Sequence, residues 1–134
     1  MLERGLELFS NMDRRWLEIY YQAGEIIYLR IINYSRKMRD NDYKLKTYMK
    51  LAFYSYSRFL VSGRKESLRY AGLAYAICLN YEKFPFEQEK ETMLEILLHL
   101  DKAVEEGYEA LLGDATERLR KGLEARLEAE ENNA

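Results

Sequence analysis

Apolar residues recur at three- and four-residue steps along nearly the whole chain, and no useful stretch alternates with period two. That pattern predicts helices and no sheet. A short helix is expected over Leu2 to Phe9. Ser10-Asn11-Met12-Asp13 then reads as a capping box that opens a second, long helix. Trp16, Ile19, Tyr20, Ala23, Ile26, Ile27, Ile31, Tyr34 and Met38 form its apolar stripe, which runs out near Arg39.

Asp40-Asn41-Asp42 supplies turn and N-cap chemistry for the next helix. That helix follows Leu45, Met49, Ala52, Phe53, Tyr56, Phe59 and Leu60, and Gly63 stands where a left-handed C-cap would fall. A fourth helix carries Leu68, Ala71, Gly72, Tyr75, Cys78 and Leu79. Its small residues Ala71, Gly72, Ala74 and Ala76 invite the close approach of a neighbour. Phe84-Pro85-Phe86 ends it. A fifth runs through Met93, Ile96, Leu97, Leu100, Val104, Tyr108 and Leu111 to the capping glycine Gly113. The last carries only Leu119, Leu123 and Leu127, with residues 127–134 expected to fray.

The expected architecture is therefore all-α: one domain over residues 1–134, a bundle of five or six antiparallel helices with a central helical hairpin. Its core should centre on Trp16, Ile27, Phe53, Phe59, Tyr75, Leu97 and Leu100, each on the apolar stripe of its helix.

Composition adds bounds. A chain of 134 residues with 48% hydrophobic content can bury one core without disulfides. The single cysteine, Cys78, sits in an apolar run, where a buried, inert thiol is the expectation. No basic, then apolar, leader is visible at the N-terminus. The longest uncharged run, Tyr70 to Tyr81, is shorter than the roughly 20 residues a membrane span needs. A cytoplasmic protein without membrane contact is expected. Scarce glutamine and abundant Glu, Lys and Arg lean towards a thermophilic source.

The net charge of −2 hides an asymmetry. Residues 30–69 carry net +8 and residues 82–134 net −8, which bears on partners rather than on fold. In the basic segment Lys46, Lys50, Tyr54 and Arg58 step by four along one helix, and a turn near Asn41 would bring Arg36 and Lys37 beside them. Tyr34, Tyr43, Tyr48 and Tyr54 interleave with the bases. Cations and aromatic faces together are what single-stranded nucleic acid binding uses. A solvated basic face, or one meeting an acidic partner, fits the same residues.

Candidate chemistry is sparse. His99 is the one histidine, with Glu95 four residues before it, and a helical di-iron site needs Glu-x-x-His twice. No nucleophile–base set, phosphate loop or Cys-x-x-Cys is present. No catalytic residue, cofactor or metal is expected.

Phe59-Leu60-Val61-Ser62-Gly63, followed by Leu68, Ala71 and Tyr75-Ala76, resembles the antiparallel hairpins of tetratricopeptide-like proteins, of small archaeal helical domains and of nucleotidyltransferase-associated (HEPN) domains. No second unit repeats at the tetratricopeptide spacing of about 34 residues. The arginine–histidine motif of HEPN ribonucleases is absent around His99. The resemblance thus implies a helical hairpin and carries no activity with it.

The expected function is that of a small non-enzymatic adaptor or assembly subunit binding a protein partner through helix surfaces. The alternative is a nucleic-acid-binding protein, or the helical subunit of a nucleoprotein complex, using the basic face of residues 30–69. A homodimer is expected, with the Leu119-Leu123-Leu127 stripe seeking cover and the oppositely charged segments attracting each other.

Overall fold

The computed structural model describes the backbone of residues 2–35 and 37–133 and the side chains of residues 14–35 and 37–132. Within these it has six helices and no strand: α1 (Leu2–Ser35), α2 (Asn41–Ser62), α3 (Lys65–Cys78), α4 (Phe86–Glu105), α5 (Glu109–Leu112) and α6 (Ala115–Asn133). The expected break at Ser10–Asp13 does not occur, and α1 runs through it. The expected fifth helix is divided at Gly107, whose φ of 98° ends α4 and sets off the single turn α5. Helix α6 stays helical to Asn133, well past Leu127 where fraying was expected.

Two of the expected caps, those at either end of α2, do form. The Asp40 carboxylate accepts from the Tyr43 amide at 3.1 Å. Gly63, at φ 74°, donates its amide to Phe59 O and lets the chain turn at once into α3.

Helix α3 is the hub. It packs on α2 to one side and on α4, α5 and α6 to the other, whereas α1 rests chiefly on α2. The hub works because α3 is thin where it is crossed. Ala71 and Ala74 are buried, and a Cβ at Gly72 would already stand 3.0 Å from the Leu100 Cδ1. Leu68, Cys78, Met93, Ile96, Leu100, Leu112 and Leu119 are all fully buried around it. Phe59, Tyr75 and Leu100 thus lie in the core as expected, and Leu97 packs against its edge. Trp16, Ile27 and Phe53 do not: they are 66%, 52% and 51% exposed. The core forms around α3; α1 adds Ile32, Tyr28 and Leu29 at its edge, while the outer sides of α1 and α2 stay outside it.

Two contacts fix the rotation of α1 on α2. Gly24 lies under the Tyr54 ring, and a Cβ there would fall 2.2–2.6 Å from three of its carbons. The next residue, Glu25, accepts from Arg58 Nη1, one turn beyond Tyr54 on α2, at 2.6 Å, with side-chain exposures of 2% and 13%. Ser67 of α3 also reaches Glu25 Oε1, at 3.3 Å. A buried pair of this kind yields little net stability when intact, but separating its partners costs about 3–5 kcal/mol.

Two stability measurements follow. Leu100→Ala should lower the unfolding free energy in urea by about 2–5 kcal/mol, and Phe53→Ala by less than about 1.5, because only the first opens a cavity. Equal losses would show that the α2 face is assigned wrongly. Gly24→Ala inside an ordinary helix should stabilise by roughly 0.5–1 kcal/mol. Here it must push the Tyr54 ring away at its root, so the midpoint should fall instead.

Candidate interaction surface on α1

Helix α1 is apolar on two opposite sides. Towards α2 it turns Tyr21, Gly24, Tyr28 and Ile32, together with Glu25 and Ser35, all buried or half-buried. On the far side Trp16, Ile19, Tyr20, Ala23, Ile26, Ile27 and Tyr34 are all exposed, Tyr34 by 87%. Trp16, Tyr20, Ala23, Ile27, Arg30 and Tyr34 follow one another at steps of four and three, which is the seam of a heptad. Ile19 and Ile26 widen that seam on one flank. A helix apolar all round is ordinarily a buried helix. This one is covered on one side only.

Beside the seam lies an aromatic cluster. Tyr28 stacks on Tyr54 with ring centroids 5.5 Å apart, while Tyr20, Tyr21 and Phe53 meet Tyr54 or one another at steeper angles. The hydroxyls of Tyr20 and Tyr54 share a hydrogen bond at 3.2 Å. That bond first, and burial second, push the Tyr54 hydroxyl up to about 12.

The basic stripe is divided by this arrangement. Lys37, Lys46 and Lys50 are exposed, and Arg36 lies outside the described residues. Tyr54 and Arg58 are not on an outer face. Tyr54 packs under α1, and Arg58 is half of the buried pair with Glu25, so neither is presented with the lysines. The step of four is real, but α2 is covered by α1 along its second half. Lys46 and Lys50 instead border an open groove of about 330 Å³, completed by Met49, Phe53, Tyr75 and Glu89. The Tyr75 hydroxyl donates to the Glu89 carboxylate there at 2.9 Å.

Leu119, Leu123 and Leu127 are also placed differently from expectation. The first two are buried and the third packs on the core, so α6 closes over α3 and α4 within its own chain. The apolar residues of this face all belong to the stripe expected from the sequence, of which Trp16 and Ile27 were expected in the core. The available signal was that Leu17, Tyr21, Tyr28 and Ile32 make a second apolar stripe on the same helix.

Elsewhere the chemistry is quiet. His99 packs its ring against Phe59 at 5.0 Å and Tyr56 at 6.0 Å, and the Tyr56 hydroxyl donates to the exposed Glu95 at 3.0 Å. Burial pushes the Cys78 thiol up to about 12, which leaves it unreactive at neutral pH. Among the described residues no three His, Cys, Asp or Glu side chains converge as metal ligands, and no helix is long and apolar enough to cross a membrane.

Compared with models of known protein families, with curated proteins and with solved structures, the chain matches none.

The tyrosine pair has a pH signature. The folded value of Tyr54 lies above its ordinary 10, so its contribution to docking α1 is complete below pH 10. It is lost as pH rises through about 12. Tyr20→Phe removes the largest cause and should bring Tyr54 ionisation back towards 10, as read by tyrosinate absorbance or NMR. An unchanged titration would show that burial alone holds the phenol.

Proposed function

We propose that this chain is a non-catalytic assembly protein that binds a helical protein partner through the outer face of α1. One observation carries the reading: Trp16, Ile19, Tyr20, Ile27 and Tyr34 form an exposed, mostly apolar seam, broken by Arg30, on a helix whose other side is already packed. Contiguous apolar surface of this kind marks interaction sites, and aromatic residues give such sites most of their affinity. The heptad spacing fits a partner that is itself a helix. Nucleic acid binding by the basic segment has less to draw on. Without Tyr54 and Arg58, the lysines at 37, 46 and 50 keep their charge but lose the ring that steps along α2 with them, while Tyr34 and Tyr43 stay exposed.

The test is position-specific photocrosslinking in native cells. A photoreactive residue in place of Ala23, mid-seam, should give a discrete protein adduct. The same residue in place of Gln22, exposed but off the seam, should give little. If Ala23 gives no more adduct than Gln22, the interaction reading fails.

A further inference from the structure

The groove beside Lys46 and Lys50 is longer than one hollow. Lys46, Met49, Lys50 and Phe53 of α2 face Glu89 of α4 across it, and Tyr75 of α3 closes its base. At Lys46 and Met49 this volume of about 330 Å³ runs on into a second one of about 380 Å³, lined by Asp42, Leu45, Lys83 and Pro85. The trough follows α2 from Asp42 to Phe53, a length of about 16 Å. That is the span of about five residues of extended chain.

Its chemistry has a direction. Phe53 is 51% exposed and Met49 half-buried, so the middle of the trough offers uncovered apolar surface. Lys46 and Lys50 stand exposed beside it, and among the described residues neither has a carboxylate within 4.0 Å. Both belong to the segment 30–69 of net charge +8. On the opposite wall one Glu89 oxygen accepts from the Tyr75 hydroxyl at 2.9 Å, and the other accepts no hydrogen bond among the described residues.

These features select among occupants. A small-molecule site covers most of its ligand, whereas this trough lies open to solvent. A nucleic acid would bring phosphates to the lysines and also set them against Glu89. A peptide supplies both groups that the walls call for, carboxylates for the lysines and main-chain N–H donors for Glu89. The spacing agrees as well. Lys46 and Lys50 lie about 6 Å apart along α2, close to the roughly 6.6 Å between alternate side chains on one face of an extended strand.

The geometry points to an acidic peptide segment as the occupant, extended along α2. Two of its carboxylates, at alternate positions, lie over Lys46 and Lys50, and a bulky apolar side chain at the next alternate position lies over Phe53. Charge complementarity sets its orientation, and the apolar anchor supplies most of the affinity. The trough shares no residue with the seam on α1, so each surface stands or falls by its own test.

That test is an NMR titration of the isotope-labelled full chain at low salt. The probe is a capped peptide with phenylalanine at its centre, glutamate at every second place on both sides and serine between, so that either chain direction can seat. It should give saturable shifts concentrated on the amides of Lys46, Lys50, Phe53 and Glu89. Replacing its glutamates by glutamine, or its phenylalanine by serine, should each weaken binding about tenfold or more. Added salt should weaken the glutamate peptide more than the glutamine one. In the protein, Lys46→Glu with Lys50→Glu sets like charges against the peptide and should weaken it on the order of tenfold or more. Phe53→Ala removes the apolar contact and should cost about tenfold. All three positions are exposed, so circular dichroism should be unchanged in these variants.

No saturable shift at millimolar peptide would overturn the proposal, as would equal binding by the glutamine peptide. Shifts that persist undiminished in both protein variants would place the peptide elsewhere and overturn it too. An oligothymidylate strand that fills the trough more tightly than the peptide would assign the site to nucleic acid instead.

Discussion

The contact on which the arrangement depends is the small polar and steric lock between α1 and α2: Gly24 beneath the Tyr54 ring and Glu25 against Arg58. Helix α1 has two apolar sides, and hydrophobicity alone does not choose between them. Turned half a revolution, it would press Arg30 onto α2 and leave Arg58 buried without its carboxylate. It would also present Ala23 rather than a glycine near the tyrosine ring. The ion pair therefore acts mainly on orientation, by making the wrong face costly to bury. Once that choice is made, Trp16, Tyr20 and Ile27 must face outward, and the seam that bears the proposed function exists.

Much of the fold is legible in the sequence because helix ends are local events. Asp40, Gly63, Pro85 and Gly113 each mark a boundary through their own side chain or its absence, and each marks it correctly to within a residue or two. The small residues of α3 likewise signal a crossing, and Gly72 under Leu100 is that crossing. Burial is not local in this sense. Phe53 and Phe59 both belong to the apolar positions of α2, yet one borders an open groove and the other is buried, depending on which neighbours reach that side. The same blindness put Arg58 on a solvent stripe, since its spacing from Lys50 says nothing of a glutamate 33 residues earlier in the chain. It also sent Leu119 and Leu123 to an interface, where a narrow leucine stripe was enough to fill the hollow beside α3.

The charge asymmetry survives folding. Helix α6 packs on α3 and α4, and the pairs Arg118–Asp114, Lys121–Glu117 and Arg120–Asp101 stay within the acidic half. The only ion pair joining the two charged segments among the described residues is Lys83–Asp42, exposed and 3.5 Å long. Pairs of that kind contribute little, so the acidic half is not clasped onto the basic one. Each chain keeps a basic end at α2 and an acidic end at α4 and α6, a field that acts on approach and orientation more than on affinity.

Trp16 is the chain's one tryptophan, and it stands on the outer face of α1, far from the core around α3. The intrinsic fluorescence of this protein is therefore an optical gauge of a single surface. Its colour and its access to a quencher follow whether that surface is wet or covered, and are nearly blind to the packing of Leu68, Ile96 and Leu100. An unfolding curve recorded by tryptophan emission and one recorded by helical ellipticity describe different events here. The interval between them measures how firmly the face is covered before the bundle itself gives way.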